Sequence, residues 1–128
     1  MKSLLLATAC ITLVATSACV PASRFEWGNY ENTLYAYTKN PAGRPAYKAA
    51  LVSAIERGRA TNRVAPGLLA ELGYLQLEDG EREAAIRSFE EEKRVFPEAA
   101  VFMTAIISKI RTGSSPAEVR EAAMETPS

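Results

Sequence analysis

The acid–base chemistry open to this chain is that of carboxylates. It has no histidine in 128 residues, and both cysteines, Cys10 and Cys19, fall within the first nineteen. The residues after Cys19 therefore lack the usual ligands of zinc, haem and iron–sulfur sites and the base of a histidine-dependent triad. No metal and no cofactor is expected. Paired carboxylates can cleave glycans, and Glu26, Glu71 and Glu92 are available. Nothing in their spacing pairs them across a cleft, so no enzymatic activity is expected. Lys plus Arg and Asp plus Glu number 15 each, a formal net charge of zero. Such a balance carries no electrostatic footprint for nucleic acid and no polybasic patch for anionic lipid.

The chemistry expected of a cysteine here is acylation. Met1-Lys2-Ser3 is a short basic start, Leu4 to Val14 is mostly apolar, and Ala15-Thr16-Ser17-Ala18 is a run of small residues. These are the three regions of a secretory signal, and the apolar run is too short for a transmembrane helix. Thr16-Ser17-Ala18-Cys19 resembles a lipobox, with Thr16 where most carry Leu. The alternative is an ordinary secretory signal cut after Ala18. Lipidation at Cys19 is preferred, because a free terminal thiol is a liability in an oxidising compartment. Residues 1–18 are then the signal peptide and 19–24 the lipidated cysteine with a short tether. Val20, rather than Asp, follows the cysteine, which under an Asp retention rule favours the outer membrane, with the protein facing the periplasm and held by its acyl chains.

The rest reads as helices. Tyr30, Leu34 and Tyr37 share one face over 29–39, and Asn40-Pro41-Ala42-Gly43 ends that segment. Tyr47, Ala50, Leu51, Ala54 and Ile55 follow helical spacing from Pro45 to Arg57, with Gly58 as the stop and 59–65 as a polar loop. Pro66 opens a third helix with Leu68, Leu69, Leu72 and Leu75 inward. Asp79-Gly80 is a turn, and a fourth helix over 81–95 carries Ala85, Ile86 and Phe89. Pro97 opens a fifth, to Arg111, apolar around most of its circumference. Ser115-Pro116-Ala117-Glu118 has capping-box spacing before a short last helix or tail over 113–128.

Leu69 to Pro97 resembles a tetratricopeptide repeat, a helix–turn–helix unit of about 34 residues. Leu72-Gly73, Gly80, Ala85, Phe89 and Pro97 occupy the pattern's positions, while Gln76 and Glu92 depart from it. A shift of one repeat, about 34 residues, aligns Tyr35, Leu69 and Met103, and sets Leu51 and Ile55 against Ala85 and Phe89. The expected fold is all-α, a tetratricopeptide-like stack of about five to six short antiparallel helices over 25–112. Glu92 would fall where the repeat buries a small residue. Beside Glu90 and Glu91 it reads as part of a solvated run; buried, it would need Arg87, Lys93 or an arginine of the 57–63 loop.

Six of the ten aromatic residues lie between Phe25 and Tyr47. They would either close the open end of the stack or form a binding surface. Together with the apolar fifth helix, they make Phe25, Trp27, Tyr30, Tyr35, Tyr37, Phe102, Met103 and Ile107 the candidate partner-binding residues. Phe25-Glu26-Trp27-Gly28-Asn29-Tyr30-Glu31, Pro66-Gly67-Leu68-x-Ala70-Glu71-x-Gly73-Tyr74 and Phe89-Glu90-x-Glu92 through Phe96-Pro97-Glu98 resemble a family of small bacterial lipoproteins of unknown function. Members are encoded beside lipoproteins similar to the curli secretion channel, so the resemblance implies a role in an envelope assembly and supplies no catalytic residue. The function expected is that of an envelope lipoprotein that binds another envelope lipoprotein or a secretion-channel subunit, as a scaffold or accessory factor. The alternative is peptidoglycan binding through the aromatic cluster.

Overall fold

The computed structural model describes residues 23–125; the expected signal peptide, Cys19 and the last three residues lie outside that range. Six helices follow in order: α1 (Tyr30–Lys39), α2 (Arg44–Thr61), α3 (Leu68–Glu78), α4 (Arg82–Val95), α5 (Ala100–Arg111) and α6 (Pro116–Met124). No strand occurs among the described residues, and the chain is all-α. The helices pair as three hairpins, α1 with α2, α3 with α4 and α5 with α6, stacked through α2–α3 and α4–α5, with α6 returning onto α3. Proline marks three starts: Pro41 and Pro97 open single 3-10 turns that lead into α2 and α5, and Pro116 is the first residue of α6. α6 belongs to the stack rather than trailing from it. Ser115 and Glu118 form the reciprocal capping box, and Val119 is fully buried.

Three helices stop in the same way. After α2, Arg63 N–H donates to the Gly58 carbonyl (2.7 Å) and Asn62 N–H to that of Arg59 (3.4 Å). Glu81 to Gln76 and Gly80 to Leu77 repeat the pattern after α3, and Ser114 to Lys109 and Gly113 to Ile110 after α5. This is the Schellman stop, which requires a left-handed residue, supplied by Asn62, Gly80 and Gly113 at φ 54, 81 and 92. α2 therefore runs past Gly58, where the sequence reading ended it. Gly58 is buried within the helix, and a Cβ there would lie 2.7 Å from the Cα of Val64. Its role is to let the returning chain lie against α2, which buries Val64 and Ala65 in place of the expected polar loop.

The core has two parts that meet at α3. Tyr47, Leu51, Ala54, Ile55, Leu68, Leu69, Leu72 and Leu75 form one. Leu77, Ala85, Phe89, Met103, Ile106, Ile107, Ile110 and Val119 form the other. Between them a Cβ on Gly73 would lie 2.8 Å from the Phe89 ring, so the α3–α4 hairpin closes through a missing side chain. At this separation the two departures from the repeat pattern find partners. Gln76 accepts a hydrogen bond from the Ser88 hydroxyl (2.7 Å).

Glu92 does not reach solvent; it is 3% exposed. Its partner is none of the basic residues considered above. The carboxylate accepts from the Gly67 amide at 2.7 Å and, more weakly, the Ala70 amide at 3.4 Å. These are donors left over at the start of α3, where Gly67 has no side chain to cap them. A residue of α4 thus caps α3, and the positive end of the helix dipole favours the charge.

A second device recurs between hairpins. Arg44, first residue of α2, donates to the Leu75 carbonyl near the end of α3 (3.1 Å), and Arg82, first residue of α4, donates to the Ile110 carbonyl near the end of α5. Arginine opposes the dipole of the helix it begins but suits the antiparallel neighbour that ends beside it. Asp79, in the α3–α4 turn, pairs with Arg44 (2.8 Å) and Lys48 (2.5 Å).

Gly73→Ala should lower stability by about 1–2 kcal/mol, the overpacking cost less the helix-propensity gain. Gly58→Ala should cost more, since backbone rather than a ring tip stands in the way; urea unfolding checks the order. Two carboxylates should act oppositely with pH. Burial raises the pKa of Glu92 against the lowering effect of the amides. What this residue contributes is therefore fully present below its unfolded pKa and falls as pH rises through the folded value. Hydrogen bonding from Lys48, then Arg44, lowers the pKa of Asp79, so its contribution is present above the unfolded pKa and lost as pH falls through the folded one. Relative to the unsubstituted chain, Glu92→Gln should gain stability as pH rises from about 4 to about 8. The cost of Asp79→Asn should shrink below the usual carboxylate range. Midpoint differences independent of pH would contradict both assignments.

Candidate functional site

Of the eight residues expected to meet a partner, the structure commits most to packing. Met103 and Ile107 are 3% and 2% exposed and belong to the second core part, a correction to their reading as surface: the apolar excess of α5 is largely consumed by α4 and α6. Phe25, Trp27, Tyr30 and Tyr37 are half-buried against the first. Their rings run in a chain, Phe25 edge-on to Trp27 (6.4 Å), Trp27 to Tyr30 (5.9 Å), Tyr30 to Tyr47 (5.8 Å) and Tyr47 stacked on Tyr37 (5.3 Å). The cluster closes the open end of the stack. Tyr35, 66% exposed, points outward under Lys39. It does not share the burial of its repeat equivalents Leu69 and Met103, whereas Leu51 and Ile55 do match Ala85 and Phe89.

The segment before α1 is held by Arg63, the last arginine of the expected 57–63 loop. Arg63 pairs with Glu26 (3.0 Å), donates to the carbonyls of Ser23 and Arg24, and accepts the Glu26 N–H at its own carbonyl (2.9 Å). Near it, Phe25, Arg59, Val64, Glu91, Arg94 and Phe96 are among the residues lining a depression of about 510 Å³. The Arg59–Glu91 ion pair occupies its polar wall.

A different cleft, of about 340 Å³, joins α3, α5 and α6 and is lined by Glu71, Tyr74, Phe102, Arg120, Ala123 and Met124. Its floor follows from helical spacing, since Glu71, Tyr74 and Glu78 share one face of α3. Phe102 is half-buried beside it, and Met124 is 75% exposed at the rim. Arg120 crosses from α6, with its guanidinium 5.4 Å from the Tyr74 ring centre and 2.9 Å from Glu78. The rings of Tyr74 and Phe89 meet edge to face, with their centres 5.2 Å apart.

The electrostatics of this cleft are unusual within the molecule. The hydroxyls of Tyr74 and Tyr47 are buried without a hydrogen-bond partner of normal geometry. Burial pushes the Tyr74 phenol up to about 12, with Arg120 drawing it down and Glu71 adding to the rise. The Tyr47 phenol is also held protonated, by burial first and by the Glu71 carboxylate next. Glu71 is half-buried. Every other buried or half-buried carboxylate of the described residues has a strong partner: Glu26 with Arg63, Glu90 with Lys93, Glu91 with Arg59, and Glu92 with the amides opening α3. Glu71 has two phenols and no cation. The three carboxylates singled out for acid–base chemistry are thus tied to different groups. What this cleft offers chemically is a negatively charged hydrogen-bond acceptor beside aromatic and thioether surface.

No curated protein and no solved structure matches the chain. A family model described as a domain of unknown function (DUF4810) matches residues 25–106, from the first aromatic of the N-terminal cluster to the middle of α5. The match takes in the aromatic closure, the central hairpin and the floor of the cleft, and the chain belongs to this family of unknown function.

Proposed function

We propose that the protein is an envelope lipoprotein, acylated at Cys19 and facing the periplasm from the outer membrane, that binds another envelope lipoprotein or a secretion-channel subunit as a scaffold or accessory factor. The observation that carries the reading is the α3–α5–α6 cleft. It leaves Phe102, Tyr74 and Met124 accessible around a carboxylate without a counter-charge, in a fold that spends most of its other aromatics, Tyr35 excepted, on packing. Stacked helical hairpins present extended surfaces to partners, and a half-exposed aromatic with methionine beside it suits a protein partner. Cys19 and the lipobox-like segment before it support the anchor, and Arg63 clamps the chain four residues after Cys19.

In-cell crosslinking of the tagged protein, followed by mass spectrometry, tests this. A small set of envelope lipoproteins or a channel subunit should be recovered, and lost with Cys19→Ser. Phe102→Ala should reduce that recovery about tenfold or more, as for a hot-spot aromatic, with helicity and melting close to those of the parent. Recovery unchanged by Phe102→Ala would reject the cleft as the contact. Recovery of muropeptides alone, with sedimentation on purified sacculi, would replace the reading with cell-wall binding, for which Tyr35 is the most exposed ring.

A further inference from the structure

We propose that the arginine cluster around the segment before α1 is a membrane-facing surface, which binds the phosphates of anionic phospholipids beside the acyl chains of Cys19. The inference rests on the anchor reading above and adds the orientation in which the anchored protein is held. Its first support is the length of the tether. The structure begins at Ser23, whose carbonyl Arg63 holds. Four peptide units join the Cα atoms of Cys19 and Ser23, a span of at most about 15 Å. Whatever surrounds Ser23 is therefore kept near the headgroups.

What surrounds it is arginine. Arg24 lies over the Phe25 ring, 5.6 Å from its centre, and Phe25, Arg59 and Arg94 line the depression of about 510 Å³. The Arg57 guanidinium occupies the place where a Cβ of Gly28 would be. With Arg63, five guanidiniums gather at this end of α2 and α4. The carboxylates that meet them are fewer. Glu26 takes Arg63, Glu91 is shared by Arg59 and Arg94, and Glu56 acts on Arg59 at longer range. Arg24 and Arg57 are exposed and, among the described residues, pair with no carboxylate. At the other end of α3 the balance differs: Arg44, Lys48 and Arg120 are matched by Glu78, Asp79 and Glu81. The even charge of the whole chain conceals this local excess. A guanidinium presents paired donors that fit two phosphate oxygens, and each basic residue held at an anionic surface adds to the attraction.

Trp27 is the only tryptophan of the chain and adjoins Gly28, so its fluorescence reports on this surface. The protein with its own N-terminus is reconstituted into vesicles of phosphatidylcholine, alone or with an equal part of phosphatidylglycerol. Each vesicle carries a lipid spin-labelled at its headgroup. Quenching of Trp27 should be at least about twofold stronger in the anionic vesicles and should fall to the neutral level at high salt. Substituting both Arg24→Gln and Arg57→Gln should abolish the difference. Both residues lie outside the ion pairs of the fold, so melting should stay close to that of the parent. Lys109→Gln, which removes a charge near the far end of α5, should leave the difference intact. Equal quenching in the two kinds of vesicle, which needs no variant to fold, overturns the proposal. So does a difference that survives the double substitution. Indifference to lipid charge, together with an acidic protein that crosslinks in cells and is lost with the double substitution, assigns the arginines to that protein instead. The mass of the mature chain reads the anchor separately. Without acyl chains both readings fall; with them, and with quenching indifferent to lipid charge, the membrane face alone falls.

Discussion

Where a Cβ of residue 73 would lie, the ring of Phe89 lies instead, and the spacing of the whole central hairpin follows from that contact. With α3 and α4 this close, three antiparallel pairs come together: 73 with 89, 76 with 88, and 67 with 92. The hydroxyl of Ser88 can then reach Gln76, and the carboxylate of Glu92 can reach the amides that open α3. A wider separation would strand both polar groups in the interior, where each would cost a few kcal/mol. The hairpin is therefore a mutually conditional set. Close packing makes the polar contacts possible, and the polar contacts hold the rotation and register at which close packing occurs.

The outer hairpins attach to this unit through apolar faces and through arginine bonds to helix ends. Arg44 and Arg82 reach the same kind of acceptor, a carbonyl near the C-terminus of the next hairpin's first helix. Each contact crosses from one hairpin to the next, so it sets the rise of the stack rather than the shape of any hairpin. Exposed ion pairs contribute little by themselves, but Asp79 gathers Arg44 and Lys48 into one group whose members lie on two hairpins. Arg120 extends that arrangement to α6 through Glu78.

The helices were legible in the sequence because burial imposes a period on apolar residues. Leu68, Leu69, Leu72 and Leu75, and likewise Ala85 and Phe89, are buried as their spacing requires. What escaped was whatever depends on a neighbour in space. A glycine that ends a helix and one that admits a neighbouring backbone are written alike, so Gly58 read as a stop although the stop is Asn62. Glu92 read as wet because its neighbours in sequence are acidic, while its partners are amides on another helix. Arg44 and Arg82 gave no signal, since at the start of their own helices they look unfavourable. The surface residues of α5 were over-read for a related reason. Hydrophobicity marks what must be covered without saying by what, and Met103 and Ile107 are covered from within the chain. Glu71 was visible as a carboxylate, but its lack of a counter-charge is a property of the folded surface.

One consequence is mechanical. Arg63 grips Ser23, Arg24 and Glu26 at the end of α2, ahead of the first residue of α1. Any pull on the chain before residue 23 is taken up first by this clamp and passed to α2, a helix packed on both sides. α1 and its aromatic rings lie downstream of the grip and stay unloaded until it opens. The clamp acts on the first hairpin and the α3–α5–α6 cleft is built from the second and third, so a load entering before residue 23 meets α2 before it meets the cleft.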